Sequence, residues 1–176
     1  MSALIRHFRN MALNNAWANR RLLGACDRLE PGEFSAPRTG FFPSIRETLT
    51  HNLMVDLFYL DALEEGGIGS ALFGDFRAPR DCADLAFEQE RADARLIAYC
   101  ERLTPADLAR AVPTDRGAKG RTRERIEHLL AHLFQHQIHH RGQAHGMLSS
   151  TSVAPPQLDE FFLDYDRAPD APPRID

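Results

Sequence analysis

The chain has 176 residues, of which 43% are hydrophobic and 26% charged, with a mean hydropathy of −0.39. That size and balance fit one globular domain with a sizeable core, and they exclude disorder and a membrane-spanning helix, because no apolar run approaches the ~20 residues a span needs. The net charge of −4 argues against a protein that coats nucleic acid.

The segment from Met1 to Arg6 lacks the apolar stretch of a secretion signal. Cys26, Cys82 and Cys100 are odd in number and lack C-x-x-C spacing. They read as reduced thiols of a cytoplasmic protein. The first helix is predicted over about residues 2–29, from Leu4, Phe8, Met11, Ala18, Leu22, Ala25 and Leu29 at helical spacing. Asn15 lies on that stripe and needs a polar partner: a neighbouring backbone group or water, or a residue beside a metal site. Trp17 is expected to pack. A loop rich in proline and glycine follows from Glu30 to Pro43, with Phe34, Phe41 and Phe42 able to pin it or to wall a pocket.

The second helix is predicted at about residues 44–65, opened by the capping sequence Ser44-Ile-Arg-Glu47 and stopped by Gly66-Gly67. His51 begins one apolar stripe with Val55, Phe58 and Ala62, and leucines cover much of the other side. A glycine-containing connection runs from Gly66 to Pro79. The third helix is predicted at about residues 82–103, with Leu85, Ala92, Leu96, Tyr99 and Leu103 as its stripe and Glu88 to Arg95 as a solvated face. Thr104 caps a short turn with Pro105 at its first position. Residues 109–121 suggest a loose hairpin around Arg116-Gly117, and Arg116, Lys119, Arg121, Arg123 and Arg125 form a basic patch best read as a solvated loop.

The fourth helix, about residues 122–148, carries the densest chemistry, because six of the eight histidines lie between His128 and His145. At about 100° per residue, Ile126, Leu129, Leu130, Leu133, Ala144, Met147 and Leu148 share one arc. His136 and His140 fall inside it and His132 at its margin. His128 and His139 fall outside, and His145 points away. Two imidazoles at i and i+4 on one face can offer two nitrogens to one metal ion. The alternative is a pair of core histidines satisfied by polar neighbours. A third ligand must come from elsewhere, and His51 on the second helix is the candidate; His132 is the rival for the pair. After Ser149, Leu158, Phe161, Phe162, Leu163 and Tyr165 are apolar enough to dock back. The domain is drawn over residues 1–166, with residues 167–176 as a frayed tail.

Four long helices with little strand signal predict an all-α bundle, which places metal sites between facing helices. The stretch His132-Leu-Phe-Gln-His136-Gln-Ile-His-His140-Arg-Gly-Gln143, with Trp17-Ala-Asn19 and His51, resembles the DinB-like family of DNA-damage-inducible bundle proteins related to low-molecular-weight-thiol transferases. The resemblance implies an up-down-down-up four-helix bundle, often a homodimer. It also implies one divalent metal ion on His51, His136 and His140. Imidazole donors suit zinc or nickel. It implies further a small-molecule electrophile attacked by a metal-activated thiol or water, with a low-molecular-weight thiol as cosubstrate. A non-catalytic metal-binding stress-response protein is the alternative. Nucleic acid and membrane are not expected as partners.

Overall fold

The computed structural model describes residues 2–161. Four long helices dominate it: α1 (Ala3–Cys26), α2 (Ile45–Leu63), α4 (Cys82–Glu101) and α6 (Ile126–Leu148). Two short helices, α3 (Ala71–Asp75) and α5 (Pro105–Ala109), and a two-stranded antiparallel hairpin, β1 (Ala111–Asp115) and β2 (Arg121–Arg125), joined by a 3₁₀ turn at Gly117–Lys119, complete the described chain. The caps follow local chemistry. The Ser44 hydroxyl accepts from the Glu47 backbone N–H at the start of α2, and Thr104 with Asp107 forms a full capping box before α5.

Named contacts give the helix directions. Asn15 and Asn19 of α1 meet Asp93 of α4, while Arg9 near the start of α1 pairs with Glu101 at the end of α4, so α1 and α4 are antiparallel. His51 meets His136 and Tyr59 meets His132, so α2 and α6 are antiparallel too. Asp56–Gln89 and Glu64–Arg95 make α2 parallel to α4; Phe8–Phe134 and Asn15–Arg141 make α1 parallel to α6. The leucines Leu22, Leu53, Leu60, Leu85, Leu96, Leu130 and Leu133 fill the space between.

Two sequence expectations need correction. Helix α6 begins at Ile126, not Thr122, because residues 121–125 pair with 111–115 in register Val112↔Glu124. Buried Val112 and Thr114 anchor that hairpin, and Gly117 and Gly120 take φ of +62° and +83° at its turn, a region that favours glycine. The Glu88–Arg95 run is not a wholly solvated face, since Gln89 and Asp93 are buried. They share the inward arc with Leu85, Ala92 and Leu96. The connection from Gly66 to Pro79 also contains α3. The proposed tail at 167–176, and Phe162, Leu163 and Tyr165, lie outside the described residues. Leu158 packs on the core, and Phe161 is buried edge-on against Trp17.

A polar seam crosses the apolar core. The Arg141 guanidinium donates to Asn15 Oδ1 at 2.6 Å and to Asn19 Oδ1 at 2.8 Å. Both asparagine amides donate onward to Asp93, and the Gln89 amide donates to Asp93 and Asp56. Burial is the largest influence on all three charged groups. It raises Asp56 to about 7, with the Asp93 charge adding to the effect, raises Asp93 to about 6, and lowers Arg141 to about 10.

Asp56 therefore gives a signed expectation. An unfolded aspartate titrates near ~3.9. With its folded value at about 7, its stabilising contribution is complete below ~3.9 and is lost as pH rises through 7. The Asp56→Asn variant should gain on wild type by on the order of 2 kcal/mol between pH 5 and pH 8 in urea unfolding. An unchanged difference at the two pH values would show that Asp56 is ionised in the fold throughout.

Candidate metal centre

The antiparallel packing of α2 against α6 sets the site. His51 lies in the second turn of α2, facing the middle of α6. There the i, i+4 spacing presents His136 and His140 one above the other. One ring nitrogen from each of His51, His136 and His140 lies within 4.8 Å of the others. Nε2 of His51 and Nε2 of His136 are 3.0 Å apart, and the His140 ring stands 4.8 Å and 4.5 Å, centre to centre, from His51 and His136. His140 is buried, with 7% of its surface exposed; the other two are half-buried.

The donor set fits a divalent ion. Burial, reinforced by the neighbouring imidazoles, lowers His51 to about 4 and His136 to about 3, and burial lowers His140 as well. All three rings are thus neutral near pH 7, with lone pairs available. Two nitrogens bound to one tetrahedral ion at ~2.0–2.1 Å stand about 3.3 Å apart, close to the observed His51–His136 spacing. His136 Nδ1 is buried without a hydrogen-bond partner among the described residues.

Gln143 sets the orientation of His140. The His140 Nδ1–H donates to Gln143 Oε1 at 2.8 Å, which leaves Nε2 as the free donor nitrogen, and the Gln143 amide lies 3.1 Å from His139 Nε2. The loop before α2 supplies a wall. Phe42 lies 4.5 Å from the His51 ring and 5.6 Å from His140, and Phe41, 75% exposed, lies 6.0 Å from His140. A Cβ at Gly40 would press on the end of the Met147 side chain of α6 and lie 3.0 Å from the Phe42 carbonyl oxygen, so this loop runs close against α6.

Of the other histidines, His139 stands beside the cluster, its ring 4.8 Å from that of His140, while His132, His128 and His145 stand apart. His132 is exposed against Tyr59, its ring 6.3 Å from His136. His128 is exposed beside Glu127. His145 contacts the Pro156 carbonyl at 2.8 Å, holding the returning chain. Asn15 binds Asp93 and Arg141 across the bundle, so neither sequence reading of its partner, a backbone or water bond or a metal-site neighbour, describes it. Gln143 was within reach of sequence reasoning, since it stands at i+3 from His140 and i+4 from His139.

The sequence model of the DinB family matches residues 1–171. Among solved structures, a DinB-like protein of Bacillus subtilis, YjoA, superposes with a TM-score of 0.61 at 19% identity, over 89% of this chain and 98% of that one. That likeness shows a shared fold. No curated protein matches the sequence.

The depressed histidines give a second signed expectation. Unfolded imidazole takes up its proton near ~6.5. For His51 and His136 the stabilising contribution is complete above that value and is lost as pH falls toward about 4 and about 3. Ring resonances of both in metal-free protein should stay at their neutral positions from pH 7.5 to pH 5. A midpoint near 6.5 for either would mean that its ring is open to bulk water.

Proposed function

The chain belongs to the DinB family, and we propose that it is a metal-dependent enzyme whose His51, His136 and His140 hold one divalent ion, zinc or nickel. We propose that it transfers a low-molecular-weight thiol to an electrophilic small molecule, or hydrolyses one. The observation that carries this reading is the convergence of three neutral ring nitrogens within 4.8 Å. Three protein donors leave a coordination position free, the pattern of catalytic rather than structural zinc. A divalent ion in that setting lowers the pKa of a thiol or water, supplying a nucleophile near neutral pH.

The chain's own groups prepare the site. Burial keeps the three imidazoles unprotonated. Gln143 fixes the His140 tautomer through the Nδ1 hydrogen bond. Phe42 covers the His51 and His140 rings, keeping water from one side and offering an apolar wall to the substrate. We further propose a homodimer. A second reading, a non-catalytic stress-response protein, rests on the same geometry. An ion shared by α2 and α6 would staple the two helices.

Metal analysis of protein purified without an affinity-metal column should give one ion per chain. His140→Ala should abolish stoichiometric metal, whereas His128→Ala, His132→Ala and His145→Ala should keep it. Retention in His140→Ala with loss in His132→Ala would move the site one turn toward the start of α6. Gln143→Leu should weaken metal affinity by about 10–100-fold. Affinity should fall with falling pH, since protons compete for the ligands. A panel of small thiols and electrophiles should show turnover that a chelator removes and zinc or nickel restores. Full metal occupancy with a higher Tm and no turnover on any pair would favour the stapling role.

A further inference from the structure

At the end of the bundle where α1 finishes and α4 begins, two cysteines meet. Cys26 is the last residue of α1 and is buried, with 2% of its surface exposed. Cys82 is the first residue of the 20-residue α4 and is half-buried. The Cys82 thiol reaches the carbonyl of Leu23, one turn before the end of α1, at 3.7 Å. Cys26 stands three residues beyond Leu23 on the same helix, so the Cys82 side chain sits against the turn that carries Cys26. The two cysteines are thus neighbours across an antiparallel helix pair, each on a helix end rather than in the middle of a rigid ladder. The third cysteine, Cys100, is buried at the far end of α4, eighteen residues and about 27 Å along the helix.

We infer that Cys26 and Cys82 are a reversible dithiol–disulfide pair, oxidised by a low-molecular-weight disulfide, with Cys82 the attacking sulfur and Cys26 the resolving one. Accessibility assigns the roles, because a reagent from solvent can reach half-buried Cys82 and not Cys26. The neighbouring Cys26 side chain lowers the pKa of the Cys82 thiol, while Cys82 and burial raise that of Cys26. The position at the first residue of a long helix acts in the same direction.

The chemistry balances in two exchanges. The Cys82 thiolate attacks one sulfur of the reagent RSSR. The S–S bond breaks, RS⁻ leaves and takes up a proton, and Cys82 is left as the mixed disulfide with SR. The Cys26 sulfur then attacks Cys82 Sγ, its proton leaving with the second RS⁻. The sum is one protein disulfide and two RSH, with the cysteine pair oxidised by two electrons and the reagent reduced by two. The new bond closes the loop 27–81, which contains α2 and His51, and ties the two helix ends together.

The purified full chain is incubated with 2-hydroxyethyl disulfide, alkylated under denaturing conditions and weighed intact. Wild type should fall from three alkylated cysteines to one. Its proteolytic map should show the Cys26 peptide joined to the Cys82 peptide, and dithiothreitol should restore all three. The oxidised form should melt about 5–10 °C higher than the reduced form. Cys26→Ser should stop at a single 2-mercaptoethanol adduct on Cys82, and Cys82→Ser should take up none at Cys26. The peptide map needs no variant, so a poorly folding substitution does not decide the matter. Three alkylated cysteines after incubation, a bond that includes Cys100, or a first adduct on Cys26 would each overturn the assignment.

Discussion

A guanidinium inside an apolar bundle is a costly group, and the way Arg141 is accommodated governs the rest of the structure. Among the described residues its charge meets no direct ion pair. It is passed through the carboxamides of Asn15 and Asn19 to the carboxylate of Asp93. Three helices must therefore hold fixed rotation and depth for the seam to be satisfied. A slip of α6 by one residue would turn Arg141 by about 100° and leave a buried charge unpaired. This constraint is stricter than leucine packing, which tolerates exchange of one apolar side chain for another.

The same constraint reaches the histidines through adjacency in sequence. Each candidate ligand is followed at once by a buried polar residue: His51 by Asn52, His136 by Gln137, His140 by Arg141. The Gln137 amide donates to the Asn52 backbone carbonyl at 3.1 Å, which locks α6 to α2 one residue from the His51–His136 contact. Polar residues facing the bundle centre thus fix the azimuth of the ligands, which look out toward the Phe41–Phe42 loop. Burial then keeps the rings uncharged.

Much of this was legible in the sequence where one local rule sufficed. The Ser44 cap, the glycine stop after α2, and the i, i+4 pair of His136 and His140 are each set within a few residues, and His51 stood out as the lone histidine of its helix. The seam was hidden because periodicity counts apolar residues. Gln89 and Asp93 looked like the solvated part of a charged run, and their partners on α1, α2 and α6 lie far away in the chain. The start of α6 was misplaced for a related reason. Thr122 to Arg125 contains neither proline nor glycine, so nothing local forbids helix there, and the pairing with Ala111–Asp115 that makes it a strand is a tertiary fact.

The contact between His51 and His136 joins positions 85 apart in sequence. During synthesis at about 5–20 residues per second, the chain carries His51 alone for roughly 4–17 s before its partners emerge from the ribosome. One imidazole holds a divalent ion weakly, so a nascent chain has little means of capturing metal from its surroundings. Asp56 and Asp93 wait with it, hydrated and charged, until α6 brings Arg141. Docking of this last helix thus brings together both the buried charges and the donor nitrogens. Any ion that the three nitrogens take up would have to wait until that helix has docked.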